Sequence, residues 1–291
     1  MPELPEVETV RQGLIRCMVG HRLAKVDQRR ADLRFPLPRD FARRLTGRTV
    51  TAIDRRAKYL LLHLDDGMVL MIHLGMSGRI VVGRRGGVGN KLGEFHHETV
   101  RSDSGGRDAH DHVVFTTDHG FVVTFNDPRR FGMMDLVSNN ALHEHKLLKS
   151  LGPEPLEDAF DAQALAARLR GKRTPIKAAI LDQNLVVGVG NIYACEALFR
   201  AGISPRRLAG TVKGERAERL VKSIKDVLRA AIKAGGSSLR DYVQADGELG
   251  YFQHHFQVYD REGSACPKCG QKIKRLAQGG RSTFYCAKCQ R

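Results

Sequence analysis

Two closely spaced cysteine pairs near the C-terminus constrain the fold of this chain more than any other feature. Cys266 and Cys269 form one CxxC pair, and Cys286 and Cys289 form a second after a spacer of 16 residues, 270–285. Four thiolates at this spacing typically close a tetrahedral site, which zinc prefers. Paired disulfides and a redox motif are the alternatives, but disulfides are rare in a reducing cytosol and a redox CxxC would not occur twice. The pattern predicts one structural zinc ion, because four cysteines leave no open position for a substrate.

The net charge indicates the class of partner. The 291-residue chain carries 48 Lys and Arg against 32 Asp and Glu, a formal charge of +16. Residues 261–291 hold eight basic residues and one acidic residue, and eight minus one gives +7. An excess of basic residues of this kind favours a polyanionic partner. Nucleic acid is favoured over an anionic membrane surface. A solvated basic surface without a partner is the alternative.

Two further observations concern location. Hydrophobic residues make up 42% of the chain, and no run approaches the roughly 18 apolar residues that a membrane span needs. The N-terminus opens with Pro2, Glu3 and Glu6 rather than with a basic stretch and an apolar core. We therefore expect a cytoplasmic protein without a membrane partner.

Hydrophobic spacing predicts domains at residues 2–138, 139–256 and 257–291. The first begins with an amphipathic helix and continues as β-rich runs, with hairpin turns expected at residues 65–67 and 118–120. The second carries helical patterns, one of them capped by Asp161, and the third is the cysteine module. The predicted fold is α+β, with a helix on an antiparallel β-sandwich or barrel, then an all-α domain. The predicted buried stripes are Val7, Val10, Leu14 and Met18 in the first helix, and Leu220, Ile224, Val227, Leu228 and Ala231 in the last.

Two glycine-rich segments are expected to be irregular. Residues 83–109 are too polar to bury enough surface and are predicted to be a flexible insertion. Residues 235–250 contain four glycines and few apolar anchors, which predicts a mobile lid. The two cysteines outside the pairs, Cys17 and Cys195, are expected to be buried thiols.

Two segments could bind phosphate. In VVGVGNIYA, Gly188 and Gly190 precede Asn191 at the start of a predicted helix, where exposed amides could cradle an anion. The alternative is a turn that simply joins two elements, although Lys172, Arg173 and Lys177 just upstream favour DNA. Between the cysteine pairs, basic residues are expected on a projecting β-hairpin, where they either meet phosphates or form a solubilising face: Lys272, Lys274, Arg275 and Arg281.

The N-terminus is a candidate nucleophile. Removal of Met1 would leave Pro2 with a secondary amine whose pKa near 8, as a rough reference, keeps part of it unprotonated at neutral pH. Such an amine can attack a sugar C1′ and form an iminium, with Glu3 and Glu6 available to move protons. The alternative is that Pro2 and the acids merely begin a helix. Composition by itself favours this simpler interpretation.

Taken together, these motifs resemble those of the formamidopyrimidine-DNA glycosylase family over nearly the whole chain. The resemblance tips the interpretation of Pro2 toward catalysis. The matching segments are PELPEVET (2–9), RRAKYLLLHL (55–64), HLGMSG (73–78), HDHV (110–113), DPRRFG (127–132), LGPEPL (151–156), LVVGVGNIYACEALF (185–199) and RSTFYCAKCQ (281–290).

The resemblance implies a β-sandwich with an N-terminal helix, a helix-two-turn-helix domain and a zinc β-hairpin. It implies that Pro2 is the Schiff-base nucleophile, Glu3 the general acid/base, Lys58 a DNA-contacting group that assists elimination, and Arg281 an aid to the second elimination. The remaining residues are assigned to DNA contact or to filling the gap left by an extruded base: His110, Arg129, Lys172, Lys177, Asn191, Met76 and Phe131.

The function that follows is removal of oxidised purines from double-stranded DNA, with strand cleavage by β- and δ-elimination, by a monomer with one zinc ion. One alternative is an endonuclease VIII-like glycosylase for oxidised pyrimidines. Another is a non-catalytic zinc DNA-binding protein. PELPE at the start and the intact cysteine pairs favour the purine class, and intact Pro2, Glu3 and Lys58 argue against a lost activity.

Overall fold

The apolar stripe at the N-terminus forms helix α1, Leu4–Met18, in a computed structural model of the chain, which describes residues 2–84, 109–237 and 251–291. All four predicted stripe residues of α1 are buried. They pack in one core with apolar residues of the strands that follow. The predicted amphipathic helix is therefore confirmed.

Two four-stranded antiparallel sheets follow α1 and enclose this core. One sheet has the order β1-β6-β7-β5 and the other β2-β3-β4-β8. The turns predicted at 65–67 and 118–120 join β3 to β4 and β6 to β7. The strands are β1 (Leu23–Gln28), β2 (Val50–Arg56), β3 (Tyr59–Leu64), β4 (Met68–His73), β5 (Arg79–Arg84), β6 (Asp111–Thr117), β7 (Phe121–Asn126) and β8 (Met133–Ser138), with a short helix α2 (Phe41–Leu45) after β1.

Helices dominate the rest of the chain. They are α3 (Ala162–Leu169), α4 (Ile176–Ile180), α5 (Asn191–Ala201) and α6 (Glu215–Lys233). Asp161 caps α3 as predicted, because its Oδ1 accepts the Ala164 N–H at 2.7 Å. The predicted stripe of α6 is buried throughout. A hairpin of β9 (Lys274–Gln278) and β10 (Arg281–Tyr285) lies between the two cysteine pairs, also as predicted.

The chain divides into two units. The N-terminal unit comprises Pro2 and the described parts of residues 6–145, and the C-terminal unit comprises residues 3–5, 146–237 and 251–291. Cys17 lies in the core of the first and Cys195 in that of the second, and burial raises the pKa of each thiol to about 11. No helix among the described residues is long and apolar enough to cross a membrane.

Candidate functional site

The Glu3 carboxylate lies at the start of α5. Its Oε1 accepts the Ile192 N–H at 3.1 Å, and the positive end of the helix dipole favours an anion there. Gly190 permits this approach, because a Cβ at that position would coincide with the Glu3 carboxylate. Gly188, at φ 77°, accepts the Leu4 N–H at 3.1 Å. The N-terminal segment is thus fitted against the glycine turn.

This arrangement corrects the predicted phosphate cradle. The glycines at 188 and 190 are buried, and an internal carboxylate already takes the Ile192 amide. Glycine stands at 188 and at 190 because a Cβ there would lie 2.5 Å from the Leu4 side chain and 2.1 Å from the Glu3 side chain, respectively. The two glycines in the sequence indicate that another group approaches the chain closely, because glycine has no Cβ. They do not indicate which group that is.

Lys177 is also placed differently from the prediction. Its ammonium is 1% exposed and donates to Asn191 Oδ1 at 2.6 Å, Thr283 Oγ1 at 2.7 Å and the Ser282 carbonyl at 3.2 Å. Burial lowers the pKa of this amine. The direct DNA contact expected of Lys177 is wrong for this structure, because all three donors point at protein oxygens. Its role is to hold Asn191 beside β10, and Asn191 Nδ2 also donates to the Ser282 carbonyl at 3.0 Å.

Lys58 is buried in the turn between β2 and β3. The preceding Ala57 has φ 54°, a conformation that costs energy for a residue with a Cβ. Arg55 holds this turn, because its Nη1 donates to the Ala57 carbonyl at 3.0 Å and its Nε donates to Glu8 at 3.0 Å. Glu8 lies on α1, so the carboxylate ties the helix to the turn that carries Lys58.

Two guanidinium groups, those of Arg11 and Arg55, flank the Glu8 carboxylate. Arg11 donates to it at 2.7 Å and also to the Ile53 carbonyl at 3.0 Å. Burial raises the pKa of the Glu8 carboxyl, but the ion pairs and hydrogen bonds with Arg11 and Arg55 outweigh burial and hold the pKa below its usual value. Glu8 and Arg55 lie in two separate motifs of the sequence, 47 residues apart, and no local pattern indicates that they pair.

Two loops of the N-terminal unit are joined by one buried carboxylate, that of Asp127. Its Oδ1 accepts the Ser77 hydroxyl at 2.6 Å and its Oδ2 accepts the Gly132 N–H at 2.8 Å. Ser77 Oγ in turn accepts the Arg129 N–H at 3.2 Å. The carboxylate is 0% exposed. We call this set, Ser77, Asp127 and the Arg129 and Gly132 amides, the Asp127 hub.

The hub carries the predicted gap-filling residues at the surface. Met76 and Phe131 are both 41% exposed although they are large and apolar, so they are not core residues. The Arg129 guanidinium lies 4.6 Å from the centroid of the Phe131 ring, within cation–π range. Gly75, at φ 67°, lies so close to the Phe131–Gly132 backbone that no Cβ fits. The two loops therefore present their side chains together.

His73 precedes this loop at the end of β4. Its Nδ1 accepts the Gly75 N–H at 3.0 Å, which requires that nitrogen to be unprotonated. Burial, with smaller effects of the Lys58 and Arg34 charges, lowers the pKa of His73 to about 4. The imidazole is therefore neutral at pH 7 and acts as an acceptor for the backbone of the Met76 loop.

The other predicted DNA-contacting residues lie at the surface. His110 is exposed and its carbonyl accepts the Asp127 N–H at 3.0 Å, so it adjoins the hub. Lys172 and Arg281 are exposed in the C-terminal unit, Arg281 at the first residue of β10. The other predicted hairpin residues, Lys272, Lys274 and Arg275, are exposed as well. Nearly all of the predicted insertion at 83–109 and of the predicted lid at 235–250 lies outside the described residues.

The four cysteines of the two pairs meet in one cluster. All four Sγ atoms lie within 4.8 Å of one another, with Cys266 to Cys289 at 3.9 Å and Cys269 to Cys286 at 3.5 Å. Thiolates at about 2.3 Å from a tetrahedral zinc would stand about 3.8 Å apart, so the donors fit this ion. Beneath them Cys195, Phe199 and Phe284 form a small apolar core. The cluster is a structural zinc site, as predicted.

Family models match most of the chain. The formamidopyrimidine-DNA glycosylase N-terminal domain matches residues 1–134, and the H2TH domain of the same enzymes matches residues 151–243. A zinc finger found in FPG and IleRS matches residues 263–291. The order of the three matches agrees with the sandwich, the helices and the cysteine hairpin described above.

Relatives match the chain from end to end. Proteins named formamidopyrimidine-DNA glycosylase from Cereibacter sphaeroides and Afipia carboxidovorans are 56% and 57% identical, over 100% of both chains. The crystal structure of a Thermus thermophilus MutM (Fpg) protein has a TM-score of 0.83 at 38% identity, over 99% of this chain and 98% of that one.

DNA complexes are among the similar structures. A Lactococcus lactis FPG variant bound to DNA containing Fapy-dG has a TM-score of 0.84 at 33% identity, over 99% of both chains. The folds agree over both units, and the cysteine hairpin is present in the matching family model. The chain belongs to the formamidopyrimidine-DNA glycosylase family and is a zinc-containing, DNA-binding glycosylase of base excision repair.

Proposed function

We propose that this enzyme excises oxidised purines, including 8-oxoguanine and formamidopyrimidines, from double-stranded DNA and then cleaves the strand. The proposal rests most directly on the Glu3 carboxylate, which is buried and fixed at the start of α5 immediately after Pro2. A simple helix start would not need a carboxylate held in this way, since an exposed acid near the first turn suffices. The names of the full-length relatives point to formamidopyrimidine as a substrate.

The proposed reaction begins at the amine of Pro2 after Met1 has been removed. The amine attacks C1′ of the damaged nucleotide, the bond to the base breaks, and the base leaves with a proton. Glu3 exchanges the protons of this step, because its carboxylate is the next group along the chain. The amine now takes the place of the base at C1′. Cleavage of the C1′–O4′ bond, with a proton delivered to O4′, opens the sugar ring and gives an iminium between Pro2 and C1′, whose positive charge makes the C2′ proton acidic.

Two eliminations then cut the strand. Loss of the C2′ proton expels the 3′ phosphate, and loss of the C4′ proton expels the 5′ phosphate, which leaves a gap of one nucleotide. We assign Lys58 to phosphate contact and to the first elimination, and Arg281 to the second. We assign His110, Arg129, Lys172 and Asn191 to DNA contact, with Lys177 as the support of Asn191.

Extrusion of the target base requires a group to occupy its place in the stack. We assign this task to Met76, Arg129 and Phe131, because the three are exposed on neighbouring loops that the Asp127 hub ties together. A thioether, a planar guanidinium and an aromatic ring can each contact base faces. We further propose domains at residues 2–138, 139–256 and 257–291, and action as a monomer in the bacterial cytoplasm, where reduced thiols keep zinc.

Borohydride trapping on a duplex with one 8-oxoguanine tests the nucleophile. The native enzyme should form a covalent adduct, and peptide mapping should locate the label on Pro2. An N-terminal tag should remove trapping and cleavage but retain lesion binding, and proteolytic release of the tag to expose Pro2 should restore both activities. A label on Lys58 or another internal lysine would overturn the proposed mechanism.

Two variants separate the assigned roles. Glu3→Gln keeps the amine but loses proton transfer, so base excision should fall by roughly 100- to 10,000-fold. Lys58→Ala removes one cationic contact from an interface with many and should mainly weaken binding. Equal losses in the two variants would contradict these assignments.

An activity on oxidised pyrimidines is the second candidate. It is favoured by the structure of wild-type Lactococcus lactis Fpg, 33% identical to this chain, in complex with DNA that contains an oxidised pyrimidine. A panel of duplexes with single oxidised purines or pyrimidines, compared by excision rate under one set of conditions, distinguishes the two. Faster excision of the pyrimidines would replace the purine assignment.

A further inference from the structure

Two imidazoles and one carboxylate meet at the surface of the N-terminal unit, among residues to which the proposed reaction gives no task. His21 Nδ1 lies 2.8 Å from His119 Nδ1, and His119 Nδ1 lies 3.0 Å from Asp118 Oδ1. The third separation, from His21 Nδ1 to Asp118 Oδ1, is 3.8 Å. Two ring nitrogens and one carboxylate oxygen therefore lie within 3.8 Å of one another.

The spacing suits a metal ion. Zinc binds imidazole nitrogen and carboxylate oxygen at about 2.0 to 2.2 Å, which places adjacent ligands of a tetrahedral ion about 3.4 Å apart. The three separations of 2.8, 3.0 and 3.8 Å bracket this distance. Without an ion, two ring nitrogens at 2.8 Å must share one proton, and two protonated imidazoles would repel each other.

The three side chains stand on backbone that is already fixed. His21 follows the end of α1, and its N–H donates to the Met18 carbonyl at 3.1 Å. The Arg22 N–H donates to Asp118 Oδ1 at 3.2 Å, and the Asp118 N–H donates back to the Arg22 carbonyl at 2.9 Å. The His21 ring also packs against Phe121, with centroids 5.9 Å apart. An ion would therefore find most of its ligand geometry formed.

The exposure of the cluster also suits an ion with open positions. Arg22 Nε lies 4.0 Å from Asp118 Oδ2, and the Arg22 side chain is 59% exposed, so solvent screens its charge. The side chain of His119 is 65% exposed, so water can complete the coordination.

We propose that His21, Asp118 and His119 bind one late first-row divalent cation, with zinc the best match for two nitrogen donors and one oxygen donor. This site is separate in sequence from the four cysteines, and it has open positions where they have none. Because His21 follows α1 and His119 lies in the β6–β7 turn, the ion would join the end of the helix to the sheet.

Equilibrium dialysis of the full chain against Zn²⁺ at pH 7.5, with metal content measured per chain, tests the site. We expect one equivalent held tightly by the cysteines and a second bound in the micromolar range. His119→Ala should weaken the second equivalent about tenfold or more, since one of three protein ligands is lost. His143→Ala is the matched control, because His143 is equally a surface histidine beside a carboxylate, Glu144 at 3.5 Å, but no third ligand joins them among the described residues.

Thermal unfolding supplies an independent measurement. Zinc binds the folded state, so a fixed concentration of added Zn²⁺ should raise the Tm of the native protein and of His143→Ala, and should raise that of His119→Ala or Asp118→Asn much less. The first equivalent should persist in every variant, which shows that the cysteine site and the fold are intact. Absence of a second equivalent in the native protein, or equal affinity in native and His119→Ala proteins, would overturn the proposal.

Discussion

The two units use different physical means to hold the side chains that we propose for DNA contact. In the N-terminal unit, the Asp127 hub holds the loops that carry Met76, Arg129 and Phe131 through hydrogen bonds to one buried carboxylate. In the C-terminal unit, a two-stranded hairpin carries Arg281 and depends on four thiolates and a small apolar core. A buried anion stabilises the first surface, and a metal ion stabilises the second.

The reason for the difference is size. The loops of the first unit are attached to a sandwich with a large core, so a few hydrogen bonds suffice to orient them. The hairpin has two strands of five residues each, and an isolated two-stranded hairpin is marginally stable in water. The metal therefore supplies the free energy of folding there. Different perturbations should therefore disrupt the structure of the two surfaces.

Loss of zinc should have the largest effect. Cys286→Ser, or full chelation, removes the ion, so the hairpin should unfold and binding to duplex DNA should be abolished while the sandwich keeps its structure. Zinc content, DNA affinity and hydrogen exchange of the two units measure the three parts of this prediction. Cys17→Ser is the control, because it removes a buried thiol from the other unit and should retain zinc. Full DNA affinity after complete chelation would contradict the prediction.

Asp127→Asn should be the most damaging change to the hub. The amide cannot accept the Ser77 hydroxyl and the Gly132 N–H together, so at least one buried donor loses its partner. We expect a loss of about 3 kcal/mol in the free energy of unfolding of this unit, since hydrogen bonds to a charged group are lost. Denaturant unfolding measures it, and zinc content should not change. A variant as stable as the native protein would show that the hub is not a structural support.

His73 should make the stability of the N-terminal unit depend on pH. The pKa of about 4 in the folded state lies below the usual 6.5, so the unfolded chain binds the proton first. Stability is complete above pH 6.5 and falls as the pH drops toward 4. Between pH 7 and pH 5 the loss should be about 2 kcal/mol.

Unfolding curves of native and His73→Gln proteins at several pH values check this contribution. The variant should be less stable at pH 7 and should lose less stability on acidification. His143→Gln, an exposed histidine, should behave like the native protein. Parallel curves for all three proteins would contradict the low pKa of His73.

Many of the structural features compared above could be predicted from the sequence. The cysteine spacing predicts the ligands of the zinc site, because a closed tetrahedral site takes four ligands and the two CxxC pairs supply four thiolates. Local periodicity predicted α1, α6 and the two hairpin turns, since these depend on residues a few positions apart. Exposed Met76 and Phe131 were expected from their motifs.

The contacts over long sequence separation could not be predicted. Glu3 lies beside Ile192 and Ser77 beside Asp127, at separations of 189 and 50 residues, and no local pattern encodes such pairs. Lys177 was wrongly assigned to DNA for the same reason: its partners Ser282 and Thr283 lie more than 100 residues away. Most lysines are exposed, so a sequence favours a surface position for Lys177. Only the fold shows that three protein oxygens surround its ammonium.

Ser77→Ala should have the smallest effect and tests whether the hub acts as one network. The change removes the hydroxyl that donates to Asp127 and accepts the Arg129 N–H, so we expect a loss of about 1 kcal/mol and a few-fold weaker binding to a duplex with an abasic site. A double-mutant cycle with Asp127→Asn sharpens the test. Both changes alter the same 2.6 Å contact between Ser77 and Asp127, so the double variant should be more stable than the sum of the two losses implies. Strict additivity would mean that Ser77 and Asp127 stabilise their loops independently, and that the Arg129 loop is held by the backbone alone.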